Sequence, residues 1–431
     1  MGLAGAKVGK YSTFIECFLH FIVFFSFFFD FCSTFTLRKH NQYLFAMNLI
    51  RNVRVVSPDI DYKYANIIIE GEYIKSITEK EVNPDNFDNI IEGEGLMAVP
   101  GFIDEHTHGA VGYDVCDGQA DNVDKIAQAR LKEGVTMFLP TTLTMPEDVL
   151  VKAAEAVAQY RRNERWAEAP GMHIEGPFIN CAYKGAQNPE YIRLPSTEEI
   201  RRLNDIAPVK IVTVAPEVEG AMEFISDMRE MGIVTSAGHS GATYADFIRA
   251  KAAGLTHLTH FFNQMSPLHH REIGLVGAGF ADNDVKIELI CDKLHVKPDI
   301  IKIVFNVKPV SQILLITDSL LASGLPDGKY VMGGLEMILK NHEARLPSGN
   351  LMGSTLPFQY GLRNVYQITG IPLKELIKTT SWNQAQSLCL HEVGKIEKGF
   401  KANIALLSED FEVAGTMVKG RLLYRNEAFS L

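Results

Sequence analysis

Apolar positions along this chain follow two alternating patterns, one of β type and one of helical type. From Asn48 to Ala98 they fall in short β-branched runs, NVRVVS, NIIIEGEYIKSI and NIIEGEGLMAV, punctuated by Gly, Asn and Pro, which predicts strands. The far end, GKIEKGFKANIALLSEDFEVAGTMVKGRLLYRN, has the same character. Between them lie eight apolar runs: AVPGFIDEHTH, MFLPTT, GMHIEGPF, KIVTVAPE, VTSAGHS, HLTHFFN, KIELICD and ILLITDS. Amphipathic stretches such as NVDKIAQARLKEG, EDVLVKAAEAVAQYRR and ADFIRAKAAG separate most of them, and Ser196 with Glu199 predicts a capping box opening TEEIRRL. Eight strands alternating with helices predict a closed (β/α)8 TIM barrel. The rival, a doubly wound open sheet, lacks a G-x-G-x-x-G at a strand–helix turn. Strands at both termini predict a small β-sandwich domain built from both chain ends. The expected division is 47–98 with 391–431 for that domain and 99–390 for the barrel.

Length agrees with this division, since 431 residues exceed a barrel of about 250. Hydrophobic residues at 46% and charged residues at 22% support a large core and exclude global disorder. A net charge of −10 argues against nucleic acid and anionic membrane as partners. The six cysteines are scattered, with no C-x-x-C pair, which suits a reducing, cytoplasmic compartment.

Residues 1–46 depart from the pattern. Phe18 to Phe29 reads FLHFIVFFSFFF, the length of a signal-peptide h-region and short of a membrane span of about 20 residues. No small-x-small cleavage site follows it. Three readings stay open: translated upstream sequence without function, a targeting or anchoring segment, or a structural element. Ordinary patterning begins at Met47.

The polar residues at the ends of the apolar runs carry the chemistry. His106 and His108 end the first run, Glu175 the third, His239 the fifth, His260 the sixth and Asp318 the eighth. Barrel active sites form where strands end, so these six converge at one mouth. Singly, each has an ordinary alternative: a surface or core histidine, a buried ion pair for Glu175, a helix cap for Asp318. Six together point to a site. His106 and His108 share one face of a strand and reach one ion together. Histidine and carboxylate ligands leave a position open for water. His173 and His257 precede their strand ends and read as core or supporting residues. Asp318, at the end of an apolar strand, suits a general acid/base tuned by a neighbouring cation.

At PGFIDEHTHG, HIEGPFIN, GHSGATYADF, THFFNQMSPLHHREIGLVG, LHVKP, ITDS and GLPDGKYVMGG the chain resembles the N-acetylglucosamine-6-phosphate deacetylases of the amidohydrolase superfamily, in block order from about Asn48 to Tyr424. The resemblance implies a metal-dependent deacetylase of an amino-sugar phosphate. It implies that Glu175, His239 and His260 bind a primary divalent ion, and that His106 and His108 bind a second one in some members. Zinc or iron, one or two per subunit, is the expected cofactor. Asp318 matches the catalytic acid/base and His295 the residue that polarises the substrate carbonyl. Arg271 matches a phosphate-binding arginine that reaches the neighbouring subunit's site, implying a homodimer. Asn263 and Gln264 match the phosphate-proximal pair, and Ala186, Asp292, Leu351, Met352 and Gly353 match other substrate-lining positions. Four positions depart from the family pattern. Gln187 replaces a usual histidine, Lys293 a usual glycine, and Gln264 and Met352 usual alanines. Two rivals remain: another amidohydrolase acting on a different acylated amine or cyclic amide, and a non-catalytic scaffold.

Overall fold

A computed structural model of the chain describes residues 46–431. The readings made for residues 1–45 lie outside the described residues.

Eight parallel strands form the central sheet: β1 Phe102–Thr107, β2 Val135–Thr142, β3 Met172–Glu175, β4 Val209–Val214, β5 Val234–Ala237, β6 His257–Leu258, β7 Lys286–Ile290 and β8 Ile313–Ile316. They hydrogen-bond in sequence order. A helix follows each strand: Ala120–Leu131, Glu147–Arg161, Thr197–Ile206, Ala221–Glu230, Tyr244–Ala253, Gly274–Ala281, Pro298–Val307 and Phe358–Thr369. All eight residues of β2 are buried. That is why its sequence reads as a near-continuous apolar run, covered by helices on one side and by the barrel interior on the other. Thr197–Ile206 begins as expected, with the Ser196 hydroxyl accepting the Glu199 N–H at 3.2 Å. The reciprocal half of the capping box does not form: the Glu199 carboxylate is taken by Arg193 at 2.5 and 3.1 Å, a charged pair that outcompetes a neutral backbone donor.

The barrel closes between β1 and β8 through polar groups beside the site. The Asp318 N–H donates to His106 O at 3.0 Å and the His108 N–H to Ser319 O at 2.8 Å. Buried Asp104 accepts from the Thr317 N–H at 3.2 Å, the Thr317 hydroxyl at 2.5 Å and the Thr107 hydroxyl at 2.7 Å. The seam thus fixes His106, His108 and Asp318 relative to one another.

The two chain ends build a second sheet. Its order is Arg421–Arg425, Val413–Val418, Ile404–Leu407, Met97–Pro100, Met47–Ser57, Ile60–Glu70 and Tyr73–Thr78, with Asn89–Glu92 also paired to Met47–Ser57. The ends meet where Ile404–Leu407 runs antiparallel to Met97–Pro100. Ile67 and Ile74 near one edge share a core with Met417 near the other. The Ile74 N–H reaches Phe400 O at 2.8 Å, so this one sheet wraps around its own interior.

A three-stranded hairpin unit, Gly328–Met332, Leu335–Lys340 and Glu343–Arg345, is inserted between β8 and its helix. This segment falls within the 99–390 span expected for the barrel. Met332 and Met337 of the hairpin join Met352, Leu320 and Leu143 in one apolar cluster, and the hairpin walls one side of the barrel mouth.

Candidate metal and active site

Five strands, β1, β3, β5, β6 and β8, deliver polar residues at or just past their ends to one point. Nε2 of His239 and Nε2 of His260 lie 3.3 and 3.0 Å from Glu175 Oε1, and 3.2 Å from each other. Nε2 of His106 and Nε2 of His108 are 3.2 Å apart, each 3.4 Å from a Glu175 oxygen. Asp318 Oδ1 is 3.3 Å from His108 Nε2 and 3.6 Å from His106 Nε2.

The far nitrogens of three of the four histidines fix their tautomers; Nδ1 of His260 is buried without a hydrogen-bond partner among the described residues. Nδ1 of His239 bonds to Tyr183 O at 2.9 Å, Nδ1 of His108 to Thr141 O at 3.2 Å, and Nδ1 of His106 to Glu288 Oε2 at 2.9 Å. Carbonyl and carboxylate oxygens only accept, so each Nδ1 carries the hydrogen and each Nε2 of a neutral ring presents a lone pair inward. Lone pairs converging at 3.2 Å repel unless a cation lies between them. Tetrahedral ligands held at about 2.0–2.1 Å sit roughly 3.3 Å apart, which is the spacing here. The sets Glu175/His239/His260 and His106/His108/Glu175 could each hold a metal ion, with Glu175 common to both.

The backbone is bent to achieve this. His239, His260 and Asp318 have φ of +49°, +30° and +51°, a left-handed conformation that costs about 1–3 kcal/mol per non-glycine residue. Neighbouring bonds hold it in place: the Asn180 N–H donates to His239 O at 3.0 Å and the Ser354 N–H to Asp318 O at 2.8 Å.

Electrostatics follow from burial among opposite charges. Burial disfavours the Glu175 carboxylate, but His106, His239 and His260 outweigh it and hold its pKa well below the usual range. Burial likewise disfavours charging His106, but Glu288 and Glu175 favour positive charge there strongly enough to raise its pKa well above the ordinary value, the same preference that a bound cation would satisfy. Asp318 is held down by His108 and His106 against its burial, so it stands ready as a carboxylate. His295 is pushed down by burial and up, more strongly, by Asp292, whose Oδ2 is 2.6 Å from His295 Nδ1. The proton on Nδ1 leaves Nε2 to face the cavity.

A cavity of about 350 Å³ opens over these groups. Ala186, Asn263, Gln264, Leu351, Met352 and Gly353, six expected substrate-side positions, line it, as do His295 and Asp318. Asp292 is not a lining residue; it orients His295 from behind. Arg271 is also outside the lining: it is exposed, with one terminal nitrogen 2.8 Å from His270 Nε2. His173 sits in the core between Glu105 O and the Thr213 hydroxyl, at 3.0 and 2.8 Å. His257 bonds the hydroxyls of Thr256 and Ser387 at 2.7 and 2.5 Å. Both are core residues, as expected.

Three contributors carry little or no signal in the sequence. Glu288, in the middle of β7, accepts from His106 and from the His260 N–H at 3.1 Å; a carboxylate inside an apolar strand was its only signal. Gln187, read as a departure alone, donates from Nε2 to Glu175 Oε2 at 2.5 Å while its Oε1 accepts the Thr144 N–H at 2.7 Å. The Thr144 donor settles which way the amide faces. Arg345 lines the cavity from the hairpin unit.

Comparison with known proteins agrees with this geometry. Residues 97–423 match the model of the amidohydrolase family. An N-acetylglucosamine-6-phosphate deacetylase of Lysinibacillus sphaericus is 33% identical over 377 residues, 87% of this chain and 97% of that one. An N-acetylgalactosamine-6-phosphate deacetylase of Escherichia coli is 35% identical over 338 residues, 78% of this chain and 89% of that one. The crystal structure of the N-acetylglucosamine-6-phosphate deacetylase of Thermotoga maritima superposes with a TM-score of 0.81 at 34% identity, covering 88% of this chain and all of that one. The chain therefore belongs to the amidohydrolase family and, within it, to the N-acetylglucosamine-6-phosphate deacetylases.

Proposed function

We propose that this chain hydrolyses N-acetyl-D-glucosamine 6-phosphate to D-glucosamine 6-phosphate and acetate, in amino-sugar metabolism. The observation that carries the reading is the inward-facing set Glu175, His239 and His260 beside the Asp318 carboxylate and the Asp292–His295 pair. Glu175, His239 and His260 hold the primary ion, zinc or iron, and His106 and His108 with Glu175 hold a second where two bind. When bound, the ion supplies Lewis-acid activation of water and of the acetamide carbonyl.

Asp318 accepts the proton of the attacking water and returns it to the departing amine. His295, charged beside Asp292, donates from Nε2 to the carbonyl oxygen as negative charge develops there. Asn263 and Gln264 face the phosphate side. Arg271 serves the phosphate of a neighbouring subunit in a homodimer, which fits its exposure and its place outside the cavity of its own chain. Mixing Arg271→Ala with Asp318→Asn subunits tests this: restored activity supports a shared site, and none after proven subunit exchange overturns it. Among the described residues no helix is long and apolar enough to cross a membrane, and the scattered cysteines favour a cytoplasmic enzyme.

A second reading, the galactosamine epimer, is favoured by the Escherichia coli relative. Elemental analysis with acetate release from both N-acetylated sugar phosphates decides among these. Turnover of the gluco substrate with bound metal is expected. Turnover of the galacto epimer alone selects the second reading, and bound metal with neither activity overturns both.

A further inference from the structure

The cavity needs a positive charge for an anionic substrate, and the chain supplies one that the expected phosphate residues do not include. Among the described residues, Arg345 is the one Lys or Arg side chain lining the cavity. It stands at the end of the hairpin strand Glu343–Arg345 and is bridged to Leu351, the first of the three consecutive lining residues Leu351 to Gly353.

Its guanidinium is held in place. Nε and one terminal nitrogen donate to Glu343 Oε2 at 3.0 and 2.8 Å, and the other terminal nitrogen donates to Gly349 O at 2.8 Å. A guanidinium has five N–H groups. These bonds use three, leaving one on each terminal nitrogen, the pair that grips two oxygens of a phosphate or carboxylate. The side chain is 43% exposed and lines the cavity. Its charge also reaches His295, where it works against the rise in pKa that Asp292 produces. Glu343 anchors the group and shares its charge; the Glu343 contact by itself gives no reason for the arginine to face the cavity.

We propose that Arg345 is a specificity-determining residue that binds the anionic group of the substrate from within the same chain, in addition to any contribution from a neighbouring subunit. This rests on the amino-sugar phosphate reading above. It predicts that recognition of the phosphate survives in part even where subunits do not meet.

The test compares wild type, Arg345→Ala and Arg345→Lys on N-acetylglucosamine 6-phosphate and unphosphorylated N-acetylglucosamine, with inorganic phosphate as a competitive inhibitor. Melting temperature and metal content check the fold. Arg345→Ala should raise KM for the phosphorylated sugar and Ki for phosphate about tenfold, the low end for a charge-assisted pair because solvent screens it. KM for the unphosphorylated sugar should change far less than KM for the phosphorylated one, and Arg345→Lys should recover part of the loss. An equal effect on both sugars, a fall in kcat at constant KM, or no change overturns the proposal. If wild type releases no acetate, the deacetylase reading fails. Arg345 is then judged by calorimetry with glucosamine 6-phosphate: weaker binding by Arg345→Ala supports the assignment, and equal or absent binding overturns it.

Discussion

Replacing Asp318 by Asn separates proton transfer from folding and from metal binding. Asp318 has φ of +51°, and Asn is among the few non-glycine residues that tolerate this conformation. The backbone bonds from the Asp318 N–H to His106 O and from the Ser354 N–H to Asp318 O do not involve the side chain. Stability should therefore change little, whereas Ala would add backbone strain to the loss of the carboxylate. The amide cannot accept the proton that the carboxylate takes. General acid–base catalysis contributes about 10²–10⁴-fold, so the barrier should rise by roughly 3–5 kcal/mol. The assay is steady-state acetate release, with kcat and KM separated and metal measured on the same samples. The expected result is a kcat lowered at least a hundredfold, KM near that of wild type, and unchanged metal. A kcat above a tenth of wild type would show that Asp318 moves no proton. Parallel loss of metal would make it a ligand instead, an outcome its 3.3 Å separation from His108 Nε2 makes a real alternative.

Three further outcomes follow from the geometry. Glu175→Gln, His239→Ala and His260→Ala should each strip the primary ion and abolish activity; full occupancy in all three by elemental analysis would refute the ligand assignment. His257 is buried, and burial, with Lys286 adding to it, pushes its pKa down to about 3. The unfolded chain binds a proton there near pH 6.5 and the native chain does not. The stability from this residue is therefore complete above about pH 6.5 and is lost as pH falls toward 3, at about 1.4 kcal/mol per pH unit. In His257→Gln, denaturant unfolding between pH 4 and 6 should show a slope smaller by one proton, and an unchanged slope would mean His257 is already charged in the native state. Lys293 has φ of +68°, a conformation strained for lysine and free for glycine. Lys293→Gly should raise unfolding stability by about 0.5–1 kcal/mol; a loss of stability would show that the lysine side chain compensates for the strain.

Much of the fold was legible because a barrel of this kind repeats one local unit. The barrel strands are largely apolar, and five of the eight runs carry a site residue at or near their ends, so the runs from AVPGFIDEHTH to ILLITDS mark strand position and strand end together. His106, His108, Glu175, His239, His260 and Asp318 could be read for that reason. Other features depend on neighbours distant in sequence. Glu288 supports His106 across the barrel interior, 182 residues away in the chain. Gln187 meets Glu175 only because a loop folds back over the strand end. Arg345 reaches the cavity only because a hairpin is inserted after β8, and polar, alternating residues on such a hairpin give no sign of which face turns toward the site. The Ser196 cap was readable, but the diversion of Glu199 to Arg193 was not, since that choice depends on where a separate loop places a guanidinium. Local periodicity set the elements and the polar strand ends, because those depend on backbone geometry and burial within a single segment. The partners of each buried polar group were set by tertiary structure alone, because a hydrogen bond between groups far apart in the chain leaves no pattern along it.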